Sequence, residues 1–70
     1  MKSDYEDIPN SVITHIIDEY VHSERDRRIM KSYLCDGKSM LEIGNTEDIS
    51  FKTVQRVVAK HEPKIFRHLS

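Results

Sequence analysis

Cysteine is nearly absent from this 70-residue chain. Cys35 stands alone, so no intramolecular disulfide can form and no cysteine-rich metal site can be built. A lone thiol suits a reducing compartment, where it packs as a small, half-buried apolar residue. Tryptophan is missing, and only two glycines and two prolines punctuate the sequence. With so few breakers and no alternating β-branched runs, there is little from which to build a sheet. No apolar run approaches the ~20 residues needed to span a bilayer. The opening Met1-Lys2-Ser3-Asp4-Tyr5-Glu6-Asp7 is too acidic for a secretory leader, and the expected compartment is the cytoplasm. Glycine-rich phosphate loops, nucleophile elbows and paired carboxylates are also lacking, so neither an enzyme nor a bound cofactor is expected.

What is present is helical periodicity. Seventy residues allow one small domain, whose single core contributes only a few kcal/mol net. The reading is all-α, with four to five short helices over residues 10–70 behind a flexible acidic segment, 1–9. A first helix opens near Asn10 or Ser11, both good caps, with Pro9 just outside. Val12, Ile13, Ile16, Ile17, Tyr20 and Val21 give it a broad apolar stripe that ends near His22. Ser23 followed by Glu24 and Asp26 reads as a fresh N-cap with acids in the first turn. The second helix turns Ile29, Met30, Tyr33 and Leu34 inward and Arg27, Arg28 and Lys31 outward, and Gly37 supplies its left-handed stop. Ser39-Met40-Leu41-Glu42 is a capping box for a short third helix, with Met40, Leu41 and Ile43 as its apolar contacts. That helix ends near Glu47-Asp48, and Ile49 plugs the turn. Ser50 then caps a fourth helix on which Val54, Val57 and Val58 recur at i, i+3 and i+4. Pro63 cannot donate to the Ala59 carbonyl, so a kink or break is expected there, with Ile65, Phe66 and Leu69 on a final turn or two.

Charge is divided along the chain. Residues 1–26 carry seven acids against two bases, a net of −5, and residues 27–70 carry nine bases against five acids, a net of +4. The near-neutral total therefore hides a basic second half, and a polyanion responds to the local field. Four histidines invite a metal reading, but His15 and His22, like His61 and His68, are seven apart on one helix. His61-Glu62 lacks the second histidine of a zinc-protease helix. No metal site is expected, and two of the histidines are read as weak positive charge near a nucleic acid.

A capped short helix, a three-or-four-residue turn and a second capped helix make the helix-turn-helix layout, here over roughly Lys38 to Lys60. Gly44 sits mid-helix, where glycine costs about 1 kcal/mol relative to alanine, and close helix crossing is a reason to keep it. Asp48 tolerates the positive φ that the turn demands. Opposite the valine stripe, a 100° step places Lys52 and Arg56, flanked by Gln55, Ala59 and Lys60. Arg56 is a donor for guanine, Gln55 for adenine, and Lys52 and Lys60 for phosphate. Phe51 falls at the stripe's edge, where it packs partly on the core or reaches a thymine methyl. Lys38, Ser39, Ser50 and Thr53 complete the expected DNA-binding set, as cation and helix-start groups near phosphate.

The stretch from Ser39-Met40-Leu41-Glu42-Ile43-Gly44 through Ile49-Ser50-Phe51-Lys52-Thr53-Val54-Gln55-Arg56-Val57-Val58-Ala59-Lys60 resembles the fourth region of bacterial sigma factors. It is also similar to the small sigma-like regulators of phages and mobile elements. Glu24 to Gly37 fits that family's lead-in helix and its terminal Asp-Gly, so the likeness covers about Ser23–Leu69. The resemblance implies that Phe51, Lys52, Gln55 and Arg56 fall where the family reads promoter bases, and it permits RNA polymerase as a partner, bound through the apolar helices as the alternative to a homodimer. Gly44 departs from the family's usual alanine, Glu47 stands in an apolar position and Asp48 in a glycine position, which implies an altered turn. Seventy residues leave no room for the domain that melts a promoter, so the expectation is the DNA-reading part alone, acting as a transcriptional regulator. The competing expectation is a protein-interaction adaptor working through the apolar helices. The apolar supply of the first helix further suggests a weak homodimer on an inverted-repeat site.

Overall fold

Helix formation follows the apolar spacing. The computed structural model describes residues 8–69 and contains four helices: α1 (Asn10–Tyr20), α2 (Glu24–Leu34), α3 (Met40–Glu47) and α4 (Phe51–Leu69). No strand occurs among the described residues, so the fold is all-α, as the periodicity indicates. Of the segment expected to be flexible, residues 1–7 lie outside the described ones.

Local chemistry sets three of the four helix starts. The Ser23 hydroxyl accepts from the Asp26 amide at 3.3 Å and opens α2. Ser39 and Glu42 form the complete capping box of α3, with reciprocal bonds of 3.1 and 3.2 Å. The Ser50 hydroxyl accepts from the Thr53 amide at 3.2 Å and opens α4. The start of α1 differs from the expected side-chain cap at Asn10 or Ser11. Pro9 holds the cap position, and its carbonyl accepts from the Val12 and Ile13 amides. Asn10 reaches away instead, toward the Cys35 carbonyl. Gly37, at φ +70°, closes the α2–α3 connection, with the Asp36 and Lys38 amides bonded back to the Lys31 and Ser32 carbonyls.

The core joins Ile13, Ile16, Ile17 and Val21 to Ile29 and Met30 of α2, Ile43 of α3, and Val54, Val57, Val58 and Ile65 of α4. Helix α4 packs against all three others, whereas the backbones of α1 and α3 do not approach closely. At about 1.5 Å per residue its 19 residues span ~28 Å, nearly the 31 Å longest dimension of the molecule. It is the spine of the fold.

Several expectations need correction. Of the kink or break expected at Pro63, the break is absent, and α4 stays helical through Pro63 to Leu69. Pro63 and Ala59 both lie on the exposed side, so the proline ring meets solvent, while buried His61 and Ile65 keep the flanking turns against the core. Leu41, expected to face inward, is 62% exposed, because α3 turns Met40, Ile43, Gly44 and Glu47 toward its neighbours and leaves Leu41 on its flank. Tyr33 and Leu34 are half-buried at the core's edge. Arg27 is not simply an outward base, since its guanidinium donates to the Val21 and Asp18 carbonyls and so caps the end of α1.

Candidate nucleic-acid interface

The turn between α3 and α4 is three residues long: Asp48, Ile49 and Ser50. Asp48 is left-handed at φ 58° and ψ 45°, and it is the only non-glycine residue with positive φ among those described. Aspartate is one of the few side chains that tolerate this region, which lets the chain reverse without glycine. Gly44 explains why the turn is so tight. A Cβ placed there would lie 3.0 Å from the Ile49 carbonyl oxygen, 3.7 Å from a Val54 methyl and 3.8 Å from the Phe51 amide. The nearest obstacle is thus the turn's own backbone, with the first turn of α4 just behind it.

Glu47, expected to alter the turn, is held in an ion pair. Its carboxylate takes a fork of hydrogen bonds from Arg28 of α2, the shortest 2.9 Å. Arg28 holds the Glu47 carboxyl below its usual range, and Glu47 in turn raises the Arg28 guanidinium. A charge pair, instead of an apolar plug, fastens the end of α3 to α2.

Beyond this turn α4 presents Lys52, Gln55, Arg56, Ala59 and Lys60 to solvent. All five lie on the side opposite buried Val54, Val57 and Val58, as the 100° step requires. Phe51, at the start of the helix, is 45% exposed. Thr53 is half-buried, and its hydroxyl bonds the Ser50 hydroxyl at 2.9 Å, so it strengthens the cap instead of joining the outer face. Lys38 and Ser39 belong to a different element, the start of α3. There the Ser39 amide and hydroxyl are both engaged with Glu42, which leaves a carboxylate at that helix start. The first turn of α4 carries no acid. Of the two helix starts, only that of α4 has no acid in its first turn.

Ion pairing divides the bases into two groups. Arg28 pairs with Glu47, Lys31 with Asp18 at 2.9 Å, and Arg25 with Asp26 at 3.2 Å. Lys38, Lys52, Arg56, Lys60 and Arg67 have no ion pair among the described residues and are exposed. Positive charge on α2 is therefore consumed internally, and that on α4 faces outward.

Two buried polar residues escape the sequence reading. Asp26, taken there for a first-turn acid, is buried between α2 and α4, and His61 is buried beside it with Nε2 at 2.9 Å from Oδ2. Burial raises the Asp26 carboxyl, but hydrogen bonds from His61 and Arg25 outweigh it and hold the group below its usual range. His61 Nδ1 is buried without a hydrogen-bond partner. The signal was available, since His61 continues Val54, Val57 and Val58 at i+7, i+4 and i+3 and so falls on the apolar stripe. Buried in this way, His61 lends no charge to the outer face. His68 stacks on Tyr20, ring centroids 3.7 Å apart, and ties the end of α4 to the end of α1. Among the described residues no group of His, Cys, Asp and Glu could hold a metal ion, and no helix is long and apolar enough to cross a membrane. Comparisons with protein families, curated proteins and solved structures find no match.

Proposed function

We propose that this chain is a sequence-specific double-stranded DNA-binding protein, a transcriptional regulator that lays α4, from about Phe51 to Lys60, in the major groove. The observation that carries the reading is the exposed, unpaired set Lys52, Arg56 and Lys60, with Gln55 among them, directly after a three-residue turn. Arg56 and Gln55 have the donor geometry for guanine and adenine edges, and Lys52, Lys60 and the acid-free start of α4 suit phosphate. Phe51 is exposed enough to meet a thymine methyl. The resemblance to sigma region four supports the same helix as the reader. It points to the cytoplasm of a bacterium, to a phage or mobile-element regulator, and to RNA polymerase as a second partner.

One observation favours the adaptor reading: Leu41, at 62% exposed, is an apolar side chain that the fold leaves outside. Most of the apolar residues that suggest a homodimer, Ile13, Ile16, Ile17, Val21 and Ile65, lie inside the chain's own core, which leaves exposed Val12 and half-buried Tyr20, Phe66 and Leu69 for that reading.

Selection of bound sequences from random duplex DNA by the purified protein tests the proposal. An enriched site is expected, and its symmetry reports whether one copy or two bind. Arg56→Ala should relax one base pair of that site at a cost of roughly 1–3 kcal/mol, while Lys60→Ala should weaken all sequences alike. A folded protein that enriches nothing at low salt would turn the conclusion to the adaptor.

A further inference from the structure

The uninterrupted course of α4 brings a distant base into line with the first three. At about 100° per residue, Arg56 lies ~40° around the axis from Lys52, Lys60 ~80° and Arg67 ~60°. Arg67 thus falls between Arg56 and Lys60 on the same arc, and all four are exposed. Pro63 falls within that arc, and Ala59 and Gln55 lie beside its Lys52 edge; all three are uncharged and exposed. The single acid of α4, Glu62, is half-buried on the opposite flank from Lys60, and burial pushes its carboxyl up. The result is a basic ridge about 22 Å long, from Lys52 to Arg67, with no acid on it.

Resting on the reading of α4 as the DNA-contacting helix, we infer that Arg67 is a further contact, made to the phosphate backbone beyond the groove that Arg56 enters. The dimensions decide which part of the duplex it meets. Arg67 stands about 16 Å along the axis from Arg56, and the major groove is only ~12 Å wide, so a base edge for Arg56 leaves Arg67 at the groove's rim. A cation at the rim meets phosphate, which carries no sequence information. Arg67 therefore adds affinity and fixes the angle of α4, and it does not choose bases. A helix broken at Pro63 would have carried Arg67 off this line, so the contact depends on the continuity of α4.

A last-turn arginine also favours the helix dipole, and the test must separate that role from a phosphate contact. Anisotropy of a labelled mixed-sequence duplex with the full chain, measured from about 50 to 200 mM salt, does so. Each phosphate contact steepens the log–log salt dependence by about 0.9, so Arg67→Gln should lose about 3.5-fold less affinity over that range than the unaltered protein. Arg67→Lys should keep the original slope, and the melting temperature of both variants should stay close to the original. An unchanged slope for Arg67→Gln while the unaltered protein binds the duplex overturns this inference and leaves the DNA reading standing. Failure of the folded, unaltered protein to bind any duplex overturns both.

Discussion

Asp26 and His61 show how much one buried polar pair can fix. The carboxylate sits in the core between α2 and α4, and its partners are the His61 ring and the largely exposed Arg25 guanidinium. His61→Leu leaves that carboxylate with Arg25 alone, and a loss of about 2 kcal/mol in thermal melting is expected. The double variant Asp26→Leu with His61→Leu should recover much of it, because two apolar groups need no partner. An additive double variant would show that the pair is not coupled. The pH dependence follows from the sign of the Asp26 shift. A carboxyl held below its unfolded value contributes stability that is complete above about pH 4 and is lost as pH falls through the lower, folded value. Melting between pH 5 and 3 should therefore fall more steeply for the unaltered protein than for Asp26→Asn. At Gly44 two effects of similar size compete. Alanine gains up to ~1 kcal/mol of helix propensity but must push the Ile49 carbonyl from 3.0 Å. Gly44→Ala should change stability by less than about 1 kcal/mol, and Gly44→Val should lose 1–3 kcal/mol or more as its branches meet the Ile49 carbonyl and Val54. A fully stable Gly44→Val variant would contradict the close approach.

At the scale of elements, Pro63 is the informative residue. It sits inside α4 on the exposed side and removes one backbone hydrogen bond without ending the helix. Pro63→Ala restores the bond to the Ala59 carbonyl and should raise the melting temperature, by an amount that corresponds to no more than ~3 kcal/mol. An unchanged or lowered melting temperature would mean that α4 relies on the proline. Pro63 also marks where sequence reasoning stops being sufficient. Helix starts at Ser23, Ser39 and Ser50 were legible because each cap is a local exchange of hydrogen bonds. The left-handed Asp48 and Gly37 were legible for the same reason. The exposed face from Lys52 to Lys60 follows from helical periodicity alone, so most of the candidate site could be read in advance. Continuity through Pro63, the Asp26–His61 pair, the Arg28–Glu47 fork and the exposed Leu41 all depend on what another helix places alongside. No local pattern encodes those contacts, although the period of α4 did place His61 on its inner face.

Across the whole molecule, the roles of the helices separate. Helices α1 and α2, with Val21 just after α1, contribute six of the eleven buried apolar side chains among the described residues, and the bases of α2 are spent on the acid and carbonyls of the first helix and its end, on Asp26 or on Glu47. Helix α4 packs on every other helix and leaves Lys52, Arg56, Lys60 and Arg67 outside. On the proposed reading, a scaffold that already holds its basic helix formed spares the cost of ordering that helix on binding. The most direct test of this division is an amide chemical-shift titration of the folded protein with a short duplex at low salt. Perturbations concentrated from Ser50 to Lys60 and extending toward Arg67 are expected, with α1 unaffected. Perturbations centred on α1 or on Leu41, or none at all, would contradict it.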